Sequence, residues 1–479
     1  MVLMPENKYK ELSKQLRKKP VSPWKDREES EVHGFSDGYK EYLWNSPTER
    51  KSINEAIRIA ENAGFVDFDE FVKNPPDNPA GSKVYLRNRG KAVAFFKLGD
   101  DISKGINMVA AHVDSPRIDF KPSPLHEDIS LAMAHTHYYG GVKKYQWFNI
   151  PLALDGVVIT KEGKKVAISI GFDRDDPVFV ISDLLPHLDR RKGDISEVFK
   201  ADTLKLLLGS KAITYNEDED GKVEDPVLLN ILNLLNDRYG ITEADLFSAE
   251  IEIVPATEPR DVGLDRSLIG GYGHDDRVCS YTALRAILDM DSQNKTACTL
   301  LIDKEEIGSM GNTGARYHFW KKAVSVLIKL YGQDTMIEDV MERSTLLSAD
   351  VSAALNPSFK EVHEAQNAPK IGMGISILKY TGARGKGGSN DAHAEVLGSL
   401  RKLFDEKKIH WQSGLLGKVD QGGGGTVALF FAEQGISVVD AGVPVLGMHS
   451  PYEIVSKADV YETYMCYKVF FESFEDVMK

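Results

Sequence analysis

In the stretch TLLIDKEEIGSMGNTGA, residues 299–315, an apolar run ends in Asp303-Lys304-Glu305-Glu306 and then a glycine-punctuated loop. Adjacent carboxylates at the end of a buried strand repel one another and cost desolvation energy unless a cation neutralises them. The ordinary alternative is a solvated turn. Four other segments carry similar groups: AHVDSP (111–116), GYGHDD (271–276), SAD (348–350) and GMHS (447–450). If His112, Asp275, Glu306, Asp350 and His449 converge, two imidazoles and three carboxylates suit Zn2+, with Co2+ or Mn2+ as first-row alternatives. Five ligands exceed the needs of one catalytic ion that keeps an open position. They fit two ions sharing one carboxylate, able to polarise a carbonyl and to acidify water. Glu305 then faces the open side as general base. Asp114, two residues after His112, is expected to orient that imidazole, and Asp303 to be solvated. Each residue alone has a bland reading, such as a core histidine, a helix cap or a turn; together those readings require five coincidences.

The elements that must position these groups follow from apolar patterning. KVYLRN (83–88), KAVAFFKL (91–98) and INMVAAHVD (106–114) are short, apolar and bounded by turn residues, which predicts strands after a helical, polar opening. From about 120 to 250 the texture changes to half-exposed strands, as in LALDGVVIT and KVAISIGF, with an exposed loop at NEDEDGKVED (216–225). Beyond 255, helix and strand alternate. Helices are expected at 280–290, 316–332 and 391–407, the last opened by Asp391 as N-cap, and strands at 298–303, 345–350, 374–380 and 443–450. The closing helix starts at Ser456, with Asp459 as a weak capping-box partner. Such alternation implies a largely parallel sheet with helices on both faces, whose functional groups collect at the carboxyl ends of strands. QGGGGTVALFF (421–431) adds a glycine loop able to approach a ligand closely, or simply a tight turn.

The bulk properties narrow the class. A chain of 479 residues allows more than one domain or one large domain with an insertion. A net charge of −13 argues against nucleic acid or an anionic membrane as partner. The first twenty residues lack a signal-peptide core, and no segment is long and apolar enough to span a membrane. Three cysteines far apart in sequence and without a CxxC pair argue against a disulfide framework or a thiolate zinc site and suggest a cytoplasmic protein, so a metal site must be built from histidine and carboxylate.

Six motifs, AHVDSP, YGGVKKYQWF, HDDRVCSYTAL, DKEEIGSMGNTGA, SADVSAALNP and MHSPYE, stand in the order and spacing of the aspartyl aminopeptidase family of di-zinc metallopeptidases. The chain resembles that family from about residue 20 to its end. The resemblance implies that His112, Asp275, Glu306, Asp350 and His449 hold two zinc ions with Asp275 bridging, and that Glu305 is the catalytic base. It implies a zinc-peptidase-type α/β catalytic domain with a mostly parallel central sheet flanked by helices, at 1–118 and 257–479. A mostly β dimerisation domain at 119–256 interrupts it. It further implies peptide substrates with a free N-terminus and a homododecamer built from dimers. LLPHLDRR (184–191) resembles a segment whose histidine, here His187, reaches a neighbouring subunit's site. Lys379 roughly matches a lysine that contacts an acidic substrate side chain, with Arg384 and Lys386 near it in sequence. Ala353 stands where animal and fungal members carry a substrate-binding histidine, which puts a strict acidic preference in doubt. The leading expectation is therefore a metalloaminopeptidase. Its rivals are a di-zinc deacylase or other exopeptidase, and a non-catalytic assembly protein.

Overall fold

The computed structural model describes residues 8–216, 218, 221–291 and 295–476. The acidic stretch 216–225 thus lies partly outside the described residues. A nine-stranded mixed sheet forms the centre. Four neighbouring parallel strands make its middle: Thr296–Ile302, Ile106–His112, Thr345–Ser348 and Ser437–Gly442. Antiparallel pairings extend it on either side, to Ala92–Lys97 and to Ile375–Leu378. The expected parallel sheet is therefore its inner part. Every residue of Ile106–His112 and Thr296–Ile302 is buried, as strands covered on both faces must be. Alternation divides them between two cores. Val109 and Ala111 pack with helices Glu29–Asn45, Glu49–Asn62, His274–Asp289 and Lys457–Ser473. Met108 and Ala110 face the helix Lys321–Leu330 and the Val427–Phe431 region.

Between the strand Ile106–His112 and the helix His274–Asp289, the chain builds a separate seven-stranded antiparallel sheet, running from Arg117–Asp128 to Ala249–Pro255. It has its own core around Ile118, Trp147, Leu152 and Ile253. A third, five-stranded sheet joins Arg260–Val262, Leu268–Gly271, Glu453–Ser456, Pro444–Leu446 and Ser352–Ala353 beside the site. Among the described residues, no helix is long and apolar enough to cross a membrane.

Several expectations are corrected. The strand expected at 443–450 is only Pro444–Leu446 and belongs to the small sheet. The main sheet uses Ser437–Gly442 instead, an element the sequence reading passed over. The helix expected from 316 starts at Lys321. Asp391 does not cap its helix, which begins at Ala394 with His393 before it; Asp391 pairs with Lys386. Nor does Asp459 close a capping box. Fully buried, it accepts the backbone N–H groups of Gly372 and Gly374 at 2.7 Å each, so its carboxylate is committed to a loop packed on the helix rather than to the helix's own start.

Candidate metal centre

Three of the five acid or histidine groups come from strand ends of the parallel core. His112 closes its strand, Glu305-Glu306 follows Ile302 in a short 3-10 turn, and Asp350 follows Ser348. Asp275 lies at the start of the buried helix His274–Asp289. His449 sits in a turn after Leu446 with φ of 66°. The structure brings all five together with Glu305. Donor atoms of His112, Asp275 and Asp350 form one compact group, and those of Asp275, Glu306 and His449 a second. Glu305 lies with His112 and Glu306 in a third. His112 Nε2 is 3.2 Å from Asp275 Oδ1 and 3.8 Å from Asp350 Oδ1. His449 Nε2 is 3.2 Å from Asp275 Oδ2 and 3.4 Å from Glu306 Oε1. The two oxygens of one carboxylate thus each face a different imidazole.

This donor set fits divalent cations. Tetrahedral bonds of about 2.0–2.1 Å to nitrogen and oxygen set ligand–ligand edges of about 3.3 Å, close to the separations above. Asp275 Oδ1 and Glu306 Oε1 are buried and accept no hydrogen bond. Each imidazole is oriented through its other nitrogen by a backbone carbonyl, His112 Nδ1 on Asp114 at 2.9 Å and His449 Nδ1 on Gly141 at 2.9 Å. That arrangement fixes the tautomer that leaves Nε2 free to ligate. The carboxylates crowd one another: burial first, then facing carboxylates such as Asp275, push Glu306 well above the ordinary glutamate range, and burial pushes Glu305 up to about 8. Cations would relieve that crowding.

Two buried acids hold the turns that carry these groups. The Asp114 carboxylate accepts the backbone N–H groups of Glu305 and Glu306 at 3.1 and 3.2 Å and the Tyr139 hydroxyl at 2.8 Å. Its carboxylate stands 3.4 Å from His112 Nδ1, farther than its own backbone carbonyl. The Glu453 carboxylate accepts the N–H of Asp275 at 3.0 Å and that of His449 at 2.7 Å. Glu453 was missed from sequence; its signal was an acid four residues after His449, at the end of MHSPYE. Gly140 and Gly141 back the cluster. A Cβ on either would lie 3.2 Å from Glu306 Cβ or His449 Nδ1, respectively. Asp303 is buried rather than solvated, because Thr313 donates to it at 2.6 Å, and burial pushes it up to about 6.

A cavity of about 260 Å³ opens beside the cluster, bounded by Glu305, Glu306, Asp275, Asp350 and His449 and by the glycine run 423–425. Ala353 lines it; Lys379 does not. Lys379 instead borders a groove with Phe404 and Trp411, because strand alternation turns its neighbour Leu378 toward the cluster. His187 is exposed in the loop after Val180–Ile181 and is not among the residues lining the cavity.

Histidines and carboxylates gathered beside the carboxyl ends of a parallel α/β core have the donor set of a metal-dependent hydrolase. Residues 42–471 match the family model described as aminopeptidase I zinc metalloprotease (M18). A probable M18 family aminopeptidase 1 of Thermotoga maritima is 49% identical over 452 residues, covering 94% of this chain and 98% of that protein. A crystal structure of an M18 family aminopeptidase from Thermotoga maritima superposes with a TM-score of 0.92 at 48% identity, over 96% of this chain and all of that one. The Saccharomyces cerevisiae mApe1 dodecamer shares the fold at 17% identity, with a TM-score of 0.72 over 92% and 97% of the two chains. The chain belongs to the M18 family of zinc aminopeptidases, hydrolases that act on peptides.

Proposed function

We propose that the chain hydrolyses the N-terminal residue from peptides with a free N-terminus, using two divalent cations per subunit, Zn2+ first. His112, Asp275 and Asp350 would hold one, and Asp275, Glu306 and His449 the other. The observation that carries this reading is the Asp275 carboxylate, with one oxygen 3.2 Å from each imidazole. Three carboxylates against two dications leave one net positive charge. Bound there, such ions supply Lewis-acid polarisation of a carbonyl and acidification of water. Glu305, lining the cavity beside the cluster, takes the proton of the attacking water and passes it to the leaving amine. Asp114 holds Glu305 and Glu306 by their backbones, so the base and its neighbour move as one.

The antiparallel unit at 119–256 is read as a dimerisation domain inserted into a catalytic domain at 1–118 and 257–479, within a homododecamer built from dimers. Leu184, Leu185 and Leu188, which are 44%, 47% and 65% exposed around His187, support an interface there. That interface would carry His187 to a neighbour's cavity. Three buried free cysteines accord with a cytoplasmic setting.

The test is a Glu305→Gln variant. It should keep its metal content and lose turnover of a free-amine peptide by several orders of magnitude; near-normal turnover removes Glu305 from the base role. In the parent protein, chelator-sensitive cleavage should spare N-acetylated peptides.

A further inference from the structure

The turn Glu305–Ile307 is three residues long, has no side-chain cap of its own, and lies between two left-handed residues, Lys304 and Gly308 (φ 68° and 93°). Its first two N–H groups depend on the buried Asp114 carboxylate. Oδ1 accepts that of Glu305 at 3.1 Å; Oδ2 accepts that of Glu306 at 3.2 Å and the Tyr139 hydroxyl at 2.8 Å, the shortest of the three. Without that hydroxyl, Oδ2 keeps only its long bond to Glu306, while Oδ1 stands 3.4 Å from His112 Nδ1. The carboxylate is then free to rotate toward the imidazole, and the turn moves with it.

The Tyr139 ring is held as well. Tyr139 ends the strand Leu131–Tyr139 of the inserted sheet, directly opposite Arg117 on Arg117–Asp128. The guanidinium lies over the ring, 3.9 Å from its centroid, within cation–π reach. Arg117 is itself buried and gripped from two sides: by Asp119 at 2.8 Å and Glu252 at 3.1 Å within the inserted sheet, and by Glu49 at 3.8 Å on the helix Glu49–Asn62. A path of contacts thus runs from the joint between inserted sheet and helix, through Arg117, Tyr139 and Asp114, to Glu305.

We propose that Tyr139 is a positioning residue for the peptidase reaction. Its hydroxyl, with the ring clamped by Arg117, fixes the Asp114 carboxylate and through it the turn that presents Glu305 to the cavity. The seating of the inserted sheet thereby sets the alignment of the base. The proposal rests on the base role given to Glu305 above.

Tyr139→Phe keeps the ring and removes only the hydroxyl. In metal-loaded protein it should lower kcat for a free-amine peptide by about 10–100-fold and leave KM within about threefold of the parent. Hydrogen–deuterium exchange of the segment 303–310 should quicken by about tenfold or more, with the rest of the chain and the melting temperature without metal little changed. Arg117→Lys keeps the charge facing Glu252 and Glu49 but loses the planar face. It should show a smaller loss of the same kind, and combining it with Tyr139→Phe should cost less than the product of the two single losses. Unchanged exchange at 303–310, a loss carried by KM, exchange quickened throughout the chain, or losses that multiply overturns this inference and leaves the aminopeptidase reading standing. If the metal-loaded parent cleaves no free-amine peptide, the aminopeptidase reading falls, and the exchange result alone still decides whether Tyr139 holds the Glu305 turn.

Discussion

Glu453 offers a sharp perturbation because its two oxygens have separate duties. One accepts the N–H of His449 at 2.7 Å and the other the N–H of Asp275 at 3.0 Å. Glu453→Gln keeps the shape but turns an NH2 group toward one of those N–H donors. The variant loses one charge-assisted hydrogen bond, about 1.5–3 kcal/mol, and leaves a buried donor facing a donor. Part of that cost is relieved by displacement of the His449 turn, which is held in a left-handed conformation (φ 66°), or of the start of the Asp275 helix. Movement of the His449 turn disturbs the group formed by Asp275, Glu306 and His449 alone, whereas movement of Asp275, which belongs to both groups, disturbs the one containing His112 and Asp350 as well. Loss of an outer partner that orients ligands weakens metal binding by about 10–100-fold, or about 1.4–2.7 kcal/mol. Competition with a graded chelator should therefore show at least the ion beside His449 released at about 10–100-fold lower chelator concentration than in the parent. The melting temperature without metal should fall only modestly. Parental affinity for both ions would refute the reasoning that Glu453 holds the two ligand turns together.

Three other outcomes are expected. Asp275→Ala should lower metal content at both positions, measured by elemental analysis; full occupancy of either would contradict a shared carboxylate. The Glu462 carboxylate, fully buried, accepts two bonds from Arg27 at 2.8 Å each; burial raises its pKa, but Arg27 and His410 outweigh burial and hold it below the ordinary glutamate range. Its contribution to stability is therefore complete above the unfolded-state glutamate pKa and lost as pH falls through its lower folded-state value. Arg27→Met should cost a few kcal/mol in denaturant unfolding at neutral pH by leaving that buried carboxylate with His410 alone, and the gap from the parent should shrink on acidification through the same range. A gap that does not change with pH would sink the assignment.

The parts of the fold that could be read in advance were those set by local patterning. INMVAAHVD and CTLLID are continuous apolar runs, and such runs survive only in strands covered on both faces. Once their ends were located, the rule that parallel strands deliver functional groups at their carboxyl ends predicted that His112, Glu306 and Asp350 would converge, and His112 does stand in one group with Glu306 and in another with Asp350. His449 enters the set as the end of a strand expected at 443–450, and Asp275 as part of the loop before a helix. Neither lies at the end of a central strand, and the strand expected at 443–450 is only Pro444–Leu446 of the small sheet. Helix limits were less legible, since Asp391 and Asp459 have the chemistry of caps but found partners elsewhere.

Residue type and spacing, a local property, were thus enough to name the acids and histidines that gather and the strands that bring most of them. Which oxygen faces which nitrogen is set by contacts between residues more than a hundred positions apart, such as Glu453 with Asp275 and Asp114 with Glu305. Those contacts leave no periodic trace in the chain. The placement of Lys379 makes the same point: a shift of one residue along a strand moves a side chain to the opposite face, so a motif match good to about one position could not say which of Leu378 and Lys379 meets the substrate. The apolar side of the cavity arises in the same way. Ala353, Leu378, Leu416 and Met448 come from four separate segments, and only their packing makes them neighbours.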